Sequence, residues 1–370
     1  MAYRILAINP GSTSTKVGLF EGETALFTSN VAHEAAKLSE FSAISDQLPY
    51  RRDCILETLR ANDVELDSID AFVGRGGGLL SLAGGTYAVG EVMLDHARRG
   101  ANGVQHPANL GSQLASEFAA LAGDKPAFVV NPPDTDELCD CARVTGIKGV
   151  YRNVHLHALN LKETAIRHAA GLGRRYDECN FVVCHIGGGI SVSAHQHGRM
   201  IDGYDIVGGE GMMAPTRCGA VPVVEVLNYL KAGHSTGDVR KMCMKTGGLV
   251  DLLGTSDVRE VEARIAAGDK AAALVWAAMC FQICKCIGSM ASVLHGEVDG
   301  ILLGGGMVNS KDLVSRIEEA CGWIAPVSAY PGEFELEAMA AGAIRVLTGE
   351  EEALEYTGEP AWSGFACFDG

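Results

Sequence analysis

Short apolar runs that stop at glycine or serine clusters alternate along this chain with longer stretches of helical periodicity, the pattern of an α/β protein. The first run, Tyr3-Arg4-Ile5-Leu6-Ala7-Ile8, enters Asn9-Pro10-Gly11-Ser12-Thr13-Ser14-Thr15-Lys16 and resumes as Val17-Gly18-Leu19-Phe20. Turn-forming residues between two strand patterns predict a hairpin. The arrangement recurs where Phe181-Val182-Val183-Cys184-His185-Ile186 meets Gly187-Gly188-Gly189 and continues as Ile190-Ser191-Val192-Ser193-Ala194-His195. A third strand pattern, Val298 to Leu303, ends in Gly304-Gly305-Gly306, and Ser310 then stands where an N-cap opens a helix. Apolar spacing predicts helices over 108–122, 156–170, 223–232, 258–294 with a break near Gly268, and 334–348.

Two strand-loop-strand repeats predict a duplicated, two-lobed α/β fold. The boundary is expected near residue 150, giving lobes of 1–150 and 151–334, with the last helix returning to the first lobe over about 335–370. Residues 350–370 are acidic and aperiodic, and are expected to lie on the surface through Trp362 and Phe365.

Composition narrows the class. A chain of 370 residues with 47% hydrophobic content can bury more than one core. A net charge of -16 argues against nucleic acid or anionic membrane as partner, so an anionic substrate needs local positive charge. Twelve cysteines without a secretory leader point to free thiols in the cytoplasm. The apolar stretch from Ala271 to Leu294 contains Gln282, Lys285 and Gly288, which favours a buried helix over a membrane span. Cys139/Cys141, Cys284/Cys286, His155/His157 and His195/His197 are spaced pairs without an evident third ligand, and packing is their expected role.

The hairpin turn gathers four hydroxyls, backbone N–H groups and Lys16, a set that suits an anion although it lacks P-loop spacing. The Gly187-Gly188-Gly189 loop would face the same phosphate chain, and Gly304-Gly305-Gly306 would let a flat adenine or ribose approach bare backbone. Arg75 sits between Gly74 and Gly76-Gly77-Gly78, and Arg217 between Thr216 and Cys218-Gly219. Guanidinium groups in such small-residue settings can bring an anionic acceptor up to a phosphate chain, because their planar forks bind carboxylate and phosphate bidentately. An ionised carboxylate acceptor needs no general base, whereas a sugar hydroxyl needs a positioned aspartate. His157 opens a helix, as a cap, a packed ring or a donor to a phosphoryl oxygen.

The three glycine-bounded loops resemble the acetokinase family of the actin, sugar-kinase and heat-shock ATPase superfamily. So do Gly74-Arg75-Gly76-Gly77, His157-Ala158-Leu159-Asn160, Gly208-Gly209-Glu210-Gly211, Pro215-Thr216-Arg217-Cys218-Gly219 and Tyr330-Pro331-Gly332-Glu333, over residues 4 to 356. The resemblance implies two RNase H-like domains with a central cleft, ATP and Mg²⁺ as cofactors, a carboxylic acid as phosphoryl acceptor, and a homodimer or larger homo-oligomer. By that match Arg75 holds the acceptor, Arg217 stabilises the moving phosphoryl group and His157 donates to one of its oxygens. Asn9 lies beside the phosphates with Ser12, Ser14 and Lys16, and Asn9 and Glu333 help place Mg²⁺. Glu333 reads equally well as an acid favoured at a helix N-terminus. Related kinases carry aspartate where this chain has Asn131; Asp134 and Asp136 follow, and Asp136 matches an acid of the branch that acts on butyrate. Gly188, in place of an asparagine, sides with the same branch. The expected activity is reversible, ATP-dependent phosphorylation of a short-chain aliphatic acid, butyrate or a branched or propionate-like acid, to the acyl phosphate. Its rivals are an ATP-binding module without kinase activity and a sugar kinase.

Overall fold

A computed structural model describes residues 2–369 and divides into two compact α/β units. One runs to Asp136 and takes in Phe334–Ala366; the other comprises Glu137–Glu333.

The first unit is built on seven strands: β1 Arg4–Pro10, β2 Ser14–Glu21, β3 Thr24–Ala32, β4 Ala71–Gly74, β5 Thr86–Ala88, β6 Ala127–Val130 and β12 Leu354–Glu355. Their order is β12-β5-β6-β4-β1-β2-β3. β1 pairs antiparallel with β2 in the predicted hairpin, Asn9 opposite Lys16, and parallel with β4. Ile5, Leu6, Ala7 and Ile8 are all fully buried, so β1 is covered on both faces, which explains its unbroken apolar run. Ile55 and Leu59 of the helix Leu48–Ala61 and Leu110, Leu114 and Phe118 of the helix Leu110–Leu121 pack with Leu6, Ile8, Val17 and Phe72. The helix Glu335–Thr348 also packs on β1. Each such fully buried side chain contributes about 1.5–3 kcal/mol.

The second unit repeats the design with β7 Asn180–Ile186, β8 Ile190–Gln196, β9 Arg199–Gly203, β10 Gly300–Gly305 and β11 Val327–Pro331, ordered β11-β10-β7-β8-β9. Three antiparallel strands followed by parallel partners occur in both sheets, the duplication the sequence predicts. Ala158–Gly171 packs with Phe181, Val183 and Leu302. Val182, Ile186 and Leu303 instead meet the helix Lys270–Val293.

That 24-residue helix is long and apolar enough to cross a membrane by composition. Here Trp276, Met279, Ile283, Ile287 and Met290, spaced three and four apart, place one of its faces in the core. The expected break is real: Val258–Ala266 ends before Gly268, which has φ +87°, and the Asp269 side chain caps the next helix through Ala271 N at 2.9 Å. Ser310 caps Lys311–Cys321 by accepting from Leu313 N at 3.2 Å. Unforeseen elements are the edge strand β3 and the helices Leu48–Ala61, whose buried residues include Arg51, and Glu91–Arg99, a short helix that buries only Met93, His96 and Ala97. Beyond Thr348 the chain does more than cover a surface: β12 extends the first sheet, and Tyr356 is buried. Trp362 and Phe365 pack edge to face on each other, centroids 5.3 Å apart.

Candidate active site

In the first unit the tip of the β1–β2 hairpin exposes Ser12, Thr13 and Lys16, with Ser14 half-buried and Gly11 N donating to Ser14 O at 2.7 Å. Asn9 leaves the end of β1, and its Nδ2 donates to Glu335 Oε2 at 2.6 Å. Glu335 opens the helix packed on β1, a site that favours a carboxylate. Glu333, two residues earlier and exposed, belongs to the second unit. The contact from Asn9 to Glu335 spans 326 residues, and sequence reasoning missed it.

Arg75 follows β4, with its N–H on Ile8 O at 3.0 Å. Gly74 permits this: a β-carbon there would fall 2.0 Å from Gly111 O, so the helix beneath approaches only bare backbone. The Arg75 side chain is buried, and its guanidinium makes a long hydrogen bond to Asn131 O at 3.5 Å. Burial pushes its pKa below the ordinary value, opposed by the charges of Glu335 and Asp134. Asn131 has φ +38° and brackets Gly85, its Oδ1 accepting from Gly85 N at 2.8 Å and its N–H donating to Gly85 O at 3.0 Å. Asparagine tolerates that left-handed backbone, and its amide is used structurally. Asp134 and Asp136 are both buried. Asp134 accepts from Asn102 Nδ2 at 2.5 Å and acts electrostatically on Arg75; the Asp136 N–H donates to Leu82 O at 2.9 Å.

Behind the hairpin lies a second buried guanidinium. Arg51, fully buried, donates to Gln47 Oε1 at 2.9 and 3.0 Å, to Thr15 Oγ1 at 3.0 Å and to Ser14 O at 3.3 Å, all neutral acceptors. His33 Nε2 lies 2.8 Å from the same Thr15 hydroxyl, and burial together with the Arg51 charge lowers its pKa to about 4. The unfolded chain, titrating near 6.5, therefore binds a proton that the folded one refuses between pH 6.5 and 4. Stability from this site is complete above pH 6.5 and lost as pH falls to 4. His33→Gln should flatten the fall by about 3 kcal/mol. Urea midpoints of both proteins across that range measure the difference, and parallel curves would refute it.

In the second unit Gly187 N donates to Gly189 O at 3.1 Å, and Thr216 Oγ1 donates to Gly188 O at 2.9 Å, which ties the β7–β8 loop to the segment bearing Arg217. A β-carbon on Gly189 would fall 1.7 Å from Arg217 Nη1, so the guanidinium rests directly on that glycine. Arg217 Nε donates to Met244 O at 3.4 Å, while Nη1 is buried without a hydrogen-bond partner. Burial lowers this guanidinium's pKa, against the charge of Asp205. His157 is the N-cap residue of Ala158–Gly171, yet its side chain makes no capping bond. Its Nδ1 instead meets Ser191 Oγ at 2.7 Å, and its ring stacks on His185 with centroids 4.2 Å apart.

Gly188 and Gly306 line one cavity of about 640 Å³ with Pro215, Asp257, Met307 and Ser310. Its volume suits a nucleoside-sized ligand. The wall from Ser256 to Glu262 carries no glycine signal, and sequence reasoning missed it. Gly305, φ +101°, ends β10 against Ile186 O, where a β-carbon would lie 2.4 Å away, and exchanges hydrogen bonds with Gly332 at 3.1 and 3.2 Å.

Among the described residues no group of three or more His, Cys, Asp or Glu side chains converges to hold a metal. His155 pairs with Asp205 at 3.2 Å, and His195 is a buried ring between Tyr176 OH and Ser193 Oγ whose pKa burial drives well below the ordinary value.

Residues 149–322 match the model of the acetokinase family. The chain is 42% identical over 360 residues to a Clostridium botulinum protein named "Probable butyrate kinase", covering 96% of this chain and all of that one. In fold it is similar to an acetate kinase of Porphyromonas gingivalis, with TM-score 0.74 and 20% identity over 94% of this chain and all of the other. A propionate kinase of Francisella tularensis gives TM-score 0.69 and 18% identity over 92% of this chain and 98% of its own.

Proposed function

The chain belongs to the acetokinase family, and from that premise we propose that it transfers the γ-phosphoryl group of ATP to a short-chain aliphatic carboxylate, reversibly giving acyl phosphate and ADP. The observation that carries the reading is the pair of guanidinium groups, Arg75 and Arg217. Burial lowers the pKa of each, neither forms an ion pair among the described residues, and Arg217 Nη1 is buried there without a hydrogen-bond partner. Buried cations of this kind are costly until an anion arrives.

In the proposed reaction a carboxylate oxygen of the acceptor attacks the γ-phosphorus, a new C–O–P bond forms, and the β–γ bridging P–O bond breaks with its electron pair leaving on ADP. The acid is already ionised at neutral pH, so no side chain has to remove a proton. Arg75 holds the carboxylate, with Asp136 and Asp134 in the loop that follows Asn131. Arg217, backed by Gly189, neutralises charge growing on the equatorial oxygens, and His157, its ring fixed by Ser191 and His185, donates to one of them. Gly187, Gly188 and Gly189 and the hairpin's Ser12, Ser14 and Lys16 receive the phosphates. Gly304, Gly305 and Gly306 and the 640 Å³ cavity receive the nucleoside.

The donors in the first unit fit Mg²⁺, which prefers one or two carboxylates with phosphate oxygens and water. Asn9 spends its Nδ2 on Glu335 Oε2, so Asn9 Oδ1 and Glu335 Oε1 are the oxygens offered, with Glu333 the further carboxylate assigned by family match. The ion supplies charge neutralisation on the β- and γ-phosphates. The same reading makes the protein a cytoplasmic homodimer or larger assembly. The helix Val223–Lys231, which buries none of its side chains and exposes Val223, Val224 and Leu227, supports self-association.

Trapping with hydroxylamine tests the proposal: ATP, Mg²⁺ and straight or branched acids from two carbons upward should yield the hydroxamate with at least one acid. Nucleotide binding without hydroxamate from any of them would replace the kinase with an ATP-binding module. Gly189→Ala should cut kcat about a hundredfold by displacing Arg217, with circular dichroism unchanged. Gly288→Ala, on a helix where nothing lies within 4 Å, should leave activity intact. Equal activity of the two variants would contradict the role of Gly189.

A further inference from the structure

The loop that follows Arg75 cannot hold itself in place. Gly76 and Gly78 have φ +69° and +73°, Gly77 has φ +150°, and none brings a side chain to pack, so ordering this segment is entropically expensive. Its anchors come from elsewhere in the first unit. Ala101 N donates to Gly78 O at 2.8 Å, and Leu82 exchanges backbone hydrogen bonds with Asp134 O at 3.2 Å and Asp136 N at 2.9 Å. Two more reach in from the end of the chain. Leu80 N donates to the Tyr356 hydroxyl at 2.9 Å, and Ala361 N donates to Ser81 O at 2.7 Å.

The terminal segment is itself firmly seated. Leu354 and Glu355 pair in parallel with Tyr87 and Ala88. Tyr356 is buried in a small core with Leu79, Leu82, Tyr87, Met93 and Val129. The Tyr356 hydroxyl, which accepts from Leu80 N, also shares a hydrogen bond with His96 Nδ1 at 2.8 Å, and the two rings meet edge to face, centroids 5.5 Å apart. Burial raises the pKa of this phenol, which keeps it a neutral hydroxyl.

We propose that residues 354–361 form a strap whose Tyr356 hydroxyl fixes the glycine loop after Arg75, making Tyr356 a positioning residue for the acceptor acid. This rests on the assignment of Arg75 to the acceptor. Arg75 begins the loop, with its backbone anchored on Ile8 O, whereas the far side of the loop depends on Leu79 to Leu82. Loosening that side frees the loop that Arg75 begins, while the hairpin and the cavity beside Gly188 and Gly306 keep their own hydrogen bonds.

Tyr356→Phe removes one oxygen atom and preserves the packed ring. The variant should raise KM for butyrate about tenfold and flatten the preference between two- and four-carbon acids, while KM for ATP stays within twofold; small misplacements of a bound reactant have costs of this size. Hydrogen exchange at Leu80 should quicken at least tenfold in the variant. An unchanged KM for butyrate with only a lowered Tm, or equal rises in both KM values, would overturn the proposal and leave Tyr356 a packing residue. Inactivity of the unaltered protein toward every acid would overturn the kinase assignment, and the acceptor role of the strap with it. An active parent with an indifferent Tyr356→Phe variant would overturn the strap alone.

Discussion

Arg217→Ala is expected to lower kcat about a thousandfold while KM for ATP changes less than threefold, the pattern of a group that acts on the transition state. The guanidinium occupies the space where a Gly189 side chain would stand, its Nη1 without a hydrogen-bond partner in a partly buried site. Charge grows on the γ-phosphoryl oxygens only as transfer begins, so most of what this group contributes is absent when ATP merely binds. Lysine at the same position should recover less than a tenth of the lost rate, since a point charge on a flexible stem replaces neither the planar fork nor its contact with the glycine backbone. Steady-state kinetics beside calorimetric ATP binding separate the two effects. Equal losses in turnover and nucleotide affinity would mean that Arg217 binds ATP rather than stabilising transfer.

Arg75→Met should act on the other substrate. KM for the acid is expected to rise at least a hundredfold with ATP affinity unchanged, because a bidentate guanidinium–carboxylate contact in a buried setting contributes about 3 kcal/mol or more. Methionine fills much of the arginine's volume, so the first unit should stay folded. Removing the cation leaves the Glu335 and Asp134 charges without the one that offsets them. A variant that saturates with acid at the parent concentration would show that Arg75 is structural.

The parts of the fold legible in the sequence are those where local chemistry and tertiary role agree. The centres of β1 and β7, Ile5 to Ile8 and Phe181 to Cys184, are buried on both faces and are unbroken apolar runs, and the turns that follow the strands are small or polar. The helix Lys270–Val293 was readable because its apolar residues recur every three or four positions, and Gly268 with Asp269 marks its start. β3 was invisible because it is an edge strand with little buried surface, and Leu48–Ala61 because its buried residues include an arginine.

The candidate site divides in the same way. Arg75, Arg217 and His157 stood out because glycine or a helix start surrounds each. Glu335 did not, because an acid in the first turn of a helix is ordinary and its meaning comes from Asn9, far away in sequence. Residues between Ser256 and Glu262 line the cavity beside Gly188 and Gly306 without a local motif that announces it. Asn131 looked like a lost charge. Its positive φ and its bracket on Gly85 give the amide a structural role that only the fold reveals.

The most direct test of the account follows the oxygen that forms the new bond. Butyrate labelled with ¹⁸O in both carboxyl positions, incubated with ATP, Mg²⁺ and the protein, should give an acyl phosphate whose ³¹P resonance carries the isotope shift of a bridging ¹⁸O, with ADP in equal amount. Release of ADP with unlabelled inorganic phosphate, or no turnover of bound ATP, would contradict carboxylate phosphorylation by this chain.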